Sequence, residues 1–358
     1  MLSKIIERDK YSFVALVITS WHLDNLIAYL HTNKYSNGLL IVAPQLIIKK
    51  KPIYRLEHDN WKQYVDNYFS EVTILDNPII SFNKKDVIGA FFKKKPGQIE
   101  VFSPGNINIR VICNVIPHYS QIKCTIIDEG IGAFLSAFDF EKIKTKSDTE
   151  NSKESLFGLL LKRIVRSLLI SEIKDAKMLR WENGKLAPNK MVCSNIRKLY
   201  ETQISSHTPK DKNVLLFKDF GIIPFLFSVD IYKVLLNILQ QKGYSVYIKM
   251  HPNDVDDDFN SFALSYSNVN LIQDKESGER LVVKYSPRYV LGGFSTVIFS
   301  TSAIFNTTTI SFMNLYQQFS DFDKEKLEII NWFYSKLKDS LPNMKFVAST
   351  NDFDKVIK

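Results

Sequence analysis

Three short stretches of this 358-residue chain set chemistry-bearing side chains directly after a run of strand-like residues. The first is Asp128-Glu129-Gly130, which follows Cys124-Thr-Ile-Ile127. Adjacent carboxylates raise one another's pKa, so one of the pair can accept a proton from a hydroxyl. The second is Lys249-Met250-His251-Pro252, at the end of the β-branched run that starts at Ser245. Pro252 cannot donate to a ladder and ends the strand. An imidazole there can donate a hydrogen bond or a proton, and an ammonium beside it favours an anion. The third is Leu291-Gly292-Gly293-Phe294-Ser295-Thr296-Val297, a strand running through glycines into hydroxyls at a helix start. Open N–H groups, hydroxyls and the helix dipole suit a phosphate there. Taken singly, these stretches read more plainly as an acidic turn, a surface histidine and a helix N-cap. Together they share one position, the carboxyl end of a strand, where open α/β sheets bind ligands.

The elements that would carry them alternate. Phe13–Ile18 is a continuous apolar run, as in a strand buried on both faces. A helix over Leu23–His31 and a strand over Leu39–Ala43 complete a βαβ unit, which predicts a parallel sheet. Further strands are expected at Val72–Leu75, Ile107–Cys113 and Cys124–Ile127, with a helix from Ala133 and a polar loop over Glu141–Glu154. Lys93–Gly97 reads as a solvated basic turn. Ser155–Ile173 shows helical spacing of Phe157, Leu160, Leu161, Ile164, Leu168 and Leu169, packed on its own sheet or, through its arginines, laid on an anionic membrane. A polar linker at Ile204–Lys212 divides a first domain, 1–205, from a second, 206–358, whose closing helices can pack back on the first. The second restarts with a strand at Val214–Phe217, a helix over Ser228–Gln241 and a strand over Tyr244–Met250. Strands at Val269–Ile272 and Tyr289–Leu291, a helix over Glu279–Tyr285, a last strand at Thr308–Phe312 and a helix over Phe322–Leu337 follow.

Composition bounds the rest. The chain is 45% hydrophobic and 24% charged, an ordinary globular balance, and its 25 Phe and 16 Tyr read first as core. A net charge of +9 points to an anionic partner. Cys113, Cys124 and Cys193 are odd in number and lack CxxC spacing, which fits buried thiols in a reducing compartment. The opening segment is not expected to be a signal peptide, and no run approaches a membrane span, so a cytoplasmic location is expected. The Asp254, Asp256-Asp257-Asp258 run reads as a solvated turn and not as a metal site.

In order and context the three motifs resemble those of bacterial inverting sialyltransferases and polysialyltransferases. Glu279-Arg-Leu281, Pro287, Val290, Gly292-Gly293 and Ser295 add to the likeness. The resemblance spans roughly Cys124 to Phe299 and implies an α/β, GT-B fold, two Rossmann-like domains facing a central cleft. It implies that the first domain binds the acceptor and the second binds CMP-sialic acid. Glu129 would be the general base and His251 the donor to the departing phosphate. Lys249, Pro252, Gly293, Ser295 and Thr296 would surround that phosphate, and Glu279 would hold the cytidine ribose. Asp128 and Gly130 would support Glu129. Trp21, His22 and Asp24 are acceptor contacts suggested by position alone. No metal and no cofactor are expected. The expected partners are CMP-sialic acid, a glycan or lipid-linked oligosaccharide acceptor (a terminal galactoside first, a sialic acid chain second) and, peripherally, the anionic inner membrane. No nucleic-acid motif is present. A CDP-glycerol-type transferase, a nucleotide-sugar epimerase and a non-enzymatic polysaccharide assembly protein are the alternatives.

Overall fold

Two apolar runs, Phe13–Val17 and Val214–Phe217, each become part of the first strand of a sheet buried on both faces. The computed structural model describes residues 10–44, 46–48, 51–53, 56, 65–75, 97–104, 119–128, 130, 170–203, 210–219, 229–250, 257–274, 276–305, 307–319 and 324–358. The chain divides into two units, Met1–Ala133 with Lys153–Lys177, and Phe134–Ser152 with Met178–Lys358.

In the first unit β1 (Phe13–Val17) leads into α1 (Ser20–Thr32) and β2 (Gly38–Val42). A small antiparallel pair follows, β3 (Leu46–Ile48) and β4 (Lys51–Ile53). Then come β5 (Phe69–Ile74), β6 (Gln98–Pro104), β7 (Gln121–Ile127) and β8 (Ile170–Ala176). The main sheet runs β5-β2-β1-β6-β7-β8, parallel throughout. This is the doubly wound order, whose direction of winding reverses between β1 and β6. Phe13, fully buried, sets its ring edge-on against Phe69 and Phe102, each 5.4 Å away, and so ties β1 to β5 and β6.

The second unit opens on a hairpin, β9 (Leu179–Glu182) and β10 (Lys185–Pro188), and on α2 (Lys190–Gln203). Its alternating part is β11 (Lys210–Phe217), α3 (Val229–Gln241), β12 (Ser245–Lys249), α4 (Asp257–Leu264) and β13 (Val269–Ile272). It continues with α5 (Gly278–Tyr285), β14 (Pro287–Gly292), α6 (Thr296–Ile304) and β15 (Thr308–Ser311). A 3-10 turn (Met313–Leu315), α7 (Tyr316–Phe319), α8 (Lys324–Leu337), β16 (Met344–Phe346) and α9 (Thr350–Val356) complete it. The sheet order, β13-β12-β11-β14-β15-β16, repeats that of the first unit, again parallel, with its reversal between β11 and β14. Two such sheets in one chain give the α/β, GT-B class expected, two Rossmann-like domains.

The aromatic residues go where their number suggested. Tyr200, Tyr232, Tyr244, Tyr316, Phe13, Phe102, Phe259, Phe299, Phe312, Phe333 and Phe353 are the largest fully buried side chains. Cys124 and Cys193 are buried free thiols, and burial pushes the Cys124 thiol up to about 12.

Several expectations need correction. The helix expected through Ile173 cannot reach that far, because Ile170–Ala176 pairs in parallel with β7. Residues 155–169 lie outside the described residues, as do Ile107–Cys113, the helix expected from Ala133 and the Glu141–Glu154 loop. Lys210–Lys212, read as linker, already belong to β11. Thr308–Ser311 is not the last strand, since β16 pairs beyond it. Asp257 and Asp258 begin α4 and not a turn. The helix α1 starts at Ser20, three residues before Leu23, because Thr19 caps it by accepting the His22 N–H. Among the described residues, no helix is long and apolar enough to cross a membrane.

Candidate functional site

In the second unit the reversal point lies between the ends of β11 and β14, and the residues there interlock. Asp219, just past β11, accepts a hydrogen bond from the Phe294 N–H (3.2 Å) on one carboxylate oxygen. On the other it accepts from the Tyr316 hydroxyl (3.0 Å). Gly293 must be glycine: a Cβ there would lie 1.9 Å from the Asp219 Oδ2. Its carbonyl is held from the other side by Ser311 (2.8 Å) and Tyr334 (3.0 Å). Burial pushes the Asp219 carboxyl up to about 6, opposed by the bonds from Tyr316 and Phe294 and by the Lys218 cation. Tyr316 is raised well above the ordinary phenol range by burial and by the Asp219 charge.

The turn held in this way delivers Ser295 and Thr296. Ser295 occupies the N-cap position of α6, yet its side chain makes no capping hydrogen bond, so the plain N-cap reading does not account for its hydroxyl. Glu279, in the first turn of α5 and only 3% exposed, accepts from the Ser300 hydroxyl on α6. One strand over, Lys249 ends β12, and its ammonium donates to the Asp274 carbonyl beyond β13. The Asp274 carboxylate is bound in turn by Lys284. His251 and Pro252 lie outside the described residues.

The first unit builds its own strand-end assembly. Asp128, fully buried past β7, accepts from the Trp21 indole N–H (3.2 Å) and from the Gly130 N–H (2.8 Å). In the second bond an aspartate side chain takes the place of a backbone acceptor for the N–H two residues on. Glu129 itself lies outside the described residues. His22, in the first turn of α1, accepts the Ile18 N–H on Nδ1 (3.3 Å), which puts its proton on Nε2. Burial lowers its pKa to about 3, so the ring is neutral at physiological pH. Trp21, His22 and Asp24 are all buried (8%, 4% and 0% exposed), and no acceptor contact is built on them. Among the described residues, no group of three or more His, Cys, Asp or Glu could hold a metal ion.

Residues 13–314, from β1 into the 3-10 turn after β15, match the family model described as alpha-2,8-polysialyltransferase (POLYST). The chain belongs to that family. No curated protein matches it. Among solved structures, a sialyltransferase from Photobacterium damsela is similar at 12% identity, over 94% of this chain and 82% of that one, with a TM-score of 0.47. The E. coli heptosyltransferase WaaC with ADP is similar at 11% identity, over 96% and 98%, with a TM-score of 0.44.

Membership of the polysialyltransferase family makes the chain a glycosyltransferase of the sialyltransferase type, with a nucleotide-sugar donor and a glycan acceptor. Sequence reasoning missed Lys218, Asp219 and Tyr316. Lys218 is 5% exposed, with its ammonium 4.7 Å from the centre of the Phe259 ring. A signal for the first two was present: Lys218-Asp219 directly follows an apolar strand, as the other motifs do. Tyr316 sits in an aromatic-rich stretch after β15 and carries no such signal.

Proposed function

We propose that this polysialyltransferase-family protein transfers sialic acid from CMP-sialic acid to a glycan, with inversion at the anomeric carbon. The observation that carries the reading is the Gly293–Thr296 turn at the β11/β14 reversal point, in a chain of this family. There, backbone N–H groups, two hydroxyls and the start of α6 can receive a phosphate. In the reaction the acceptor oxygen attacks the anomeric carbon and the bond from that carbon to the CMP phosphate breaks. The acceptor proton passes to Glu129, and the bonding electron pair leaves on the phosphate. Departure of a phosphate monoester from an oxocarbenium-like centre calls for donors and cations at the leaving oxygen, not for a nucleophile. His251 donates to that phosphate, Lys249 adds positive charge, Ser295 and Thr296 hold it, and Glu279 binds the ribose. These groups replace a metal, so turnover persists in EDTA.

The family description favours a sialic acid chain as acceptor, extended through α2,8 linkages, over the terminal galactoside that the sequence suggested. The reading keeps the protein in the cytoplasm, with peripheral contact at the inner membrane as its membrane-facing alternative. The Glu129→Gln variant tests the mechanism: turnover should fall at least ~100-fold, within the range of general-base contributions, while CMP binding stays within about twofold. Undiminished turnover would remove Glu129 from its role.

A further inference from the structure

We infer that Asp219 is a positioning residue of the nucleotide site: its carboxylate fixes the backbone of Gly293 and Phe294, and through it the Ser295-Thr296 turn. The inference deepens the donor-site reading above and rests on it. Four observations converge on this carboxylate. It takes the N–H of Phe294 (3.2 Å), the residue after Gly293. It receives the Tyr316 hydroxyl, which lies 3.4 Å from that of Tyr232. The Tyr232 hydroxyl in turn accepts the Asp219 N–H (3.1 Å), fixing the end of β11 to α3. Gly293 leaves room for nothing larger than hydrogen beside the carboxylate.

A carboxylate that accepts a backbone N–H sets the orientation of the peptide that carries it. Here that peptide joins Gly293 to Phe294, one residue before Ser295. Ser311 and Tyr334 hold the Gly293 carbonyl, so this peptide is gripped at both its C=O and its N–H. A loop fixed in this way presents its following N–H groups and hydroxyls without reorganising when an anion arrives.

The ionised form of Asp219 is the better acceptor, and its pKa of about 6 puts the change of form within reach of experiment. Among the described residues, the titratable groups that face it are Lys218 on its own strand end, Tyr316 on α7, Tyr232 on α3 and Tyr334 on α8. Burial raises the Tyr316 and Tyr334 phenols, so neither ionises near neutrality.

The test compares the full-length protein with its Asp219→Asn and Tyr316→Phe variants from pH 5 to 8. It measures CMP affinity by calorimetry and amide exchange of the 292–297 segment without ligand. Asparagine offers one acceptor oxygen where the carboxylate has two. Asp219→Asn should therefore weaken CMP binding about tenfold above pH 6, with the difference from wild type closing below pH 6. Taking the ratio to wild type cancels the titration of CMP itself. Exchange at Phe294 should quicken in the variant. Tyr316→Phe removes one donor and should cost about threefold with the fold intact, so the inference stays testable if Asp219→Asn does not fold. Affinity ratios that do not vary with pH, or unchanged exchange at Phe294, would overturn it. Faster exchange in a protein that binds no CMP in any form would remove the donor-site reading, and with it the positioning role.

Discussion

The two units share a strand order and each places an aspartate beyond a strand end, but they hold it differently. Asp128 is fully buried and bound by an indole from the first turn of α1 and by the N–H of Gly130. Asp219 is half-buried and bound by a phenol from the segment after β15 and by the Phe294 N–H just past β14. In the first unit the acid binds backbone two residues away. In the second it shapes a turn some 75 residues away in sequence. The lesson is that a strand-end carboxylate in this fold can organise backbone before it does any chemistry. A local Asp-x-Gly signal reveals this only when the backbone it binds is close by.

The comparison can be broken most severely at Asp128. Replacing it with alanine leaves the Trp21 indole N–H and the Gly130 N–H without their acceptor in a buried site. The expected cost is about 3 kcal/mol of stability. Turnover should drop about 100-fold as the strand end before Glu129 loses its anchor. Trp21→Phe, which removes one donor, should cost about 1 kcal/mol; equal effects from the two variants would contradict an assembly held mainly by Asp128.

Gly293→Ala strikes the corresponding point of the second unit, forcing a methyl group onto the Asp219 carboxylate. A destabilisation of about 2 kcal/mol is expected by chemical denaturation. The same change in an Asp219→Ala background should cost less than half as much, because the clashing oxygens are gone. Additive costs would show that the clash lies elsewhere.

A pH series sharpens the difference further. The folded Asp219 has its pKa raised to about 6 from an unfolded value near ~3.9, so the folded protein binds that proton more tightly. The resulting stabilisation is fully present below pH ~4 and is lost as pH rises through about 6. Its full span is about 3 kcal/mol, and Asp219→Asn should flatten it. The site thus gives up stability near neutrality to keep an ionised acceptor. The smallest expected effect belongs to Ser300→Ala, which removes a donor to Glu279 and should raise the donor KM about threefold with kcat unchanged.

The legible part of this chain was its alternation and its local motifs. Continuous apolar runs at Phe13–Val17 and Val214–Phe217 announce strands buried on both faces, and Val269–Ile272 is β13 to the residue. In β8 Ile170 is only half-buried and Ile173 is exposed, so no apolar alternation marks the strand, and the helical spacing that precedes it hid it. The β9–β10 hairpin had a signal that went unused: Asn183-Gly184, both at positive φ (50° and 75°), is the dipeptide a two-residue hairpin turn prefers. The clamp around Gly293 was not legible, because Asp219, Ser311, Tyr316 and Tyr334 come from four separate segments. Only the parallel pairing of β11, β14 and β15 brings their strand ends side by side.

The central claim is tested most directly by incubating the protein with CMP-sialic acid and a panel of lactosides and oligosialic acids, then weighing the products by mass spectrometry. The account predicts oligosialic acids lengthened by sialyl units, with one CMP released for each. No CMP release above the uncatalysed rate with any acceptor, together with no CMP binding, would contradict it.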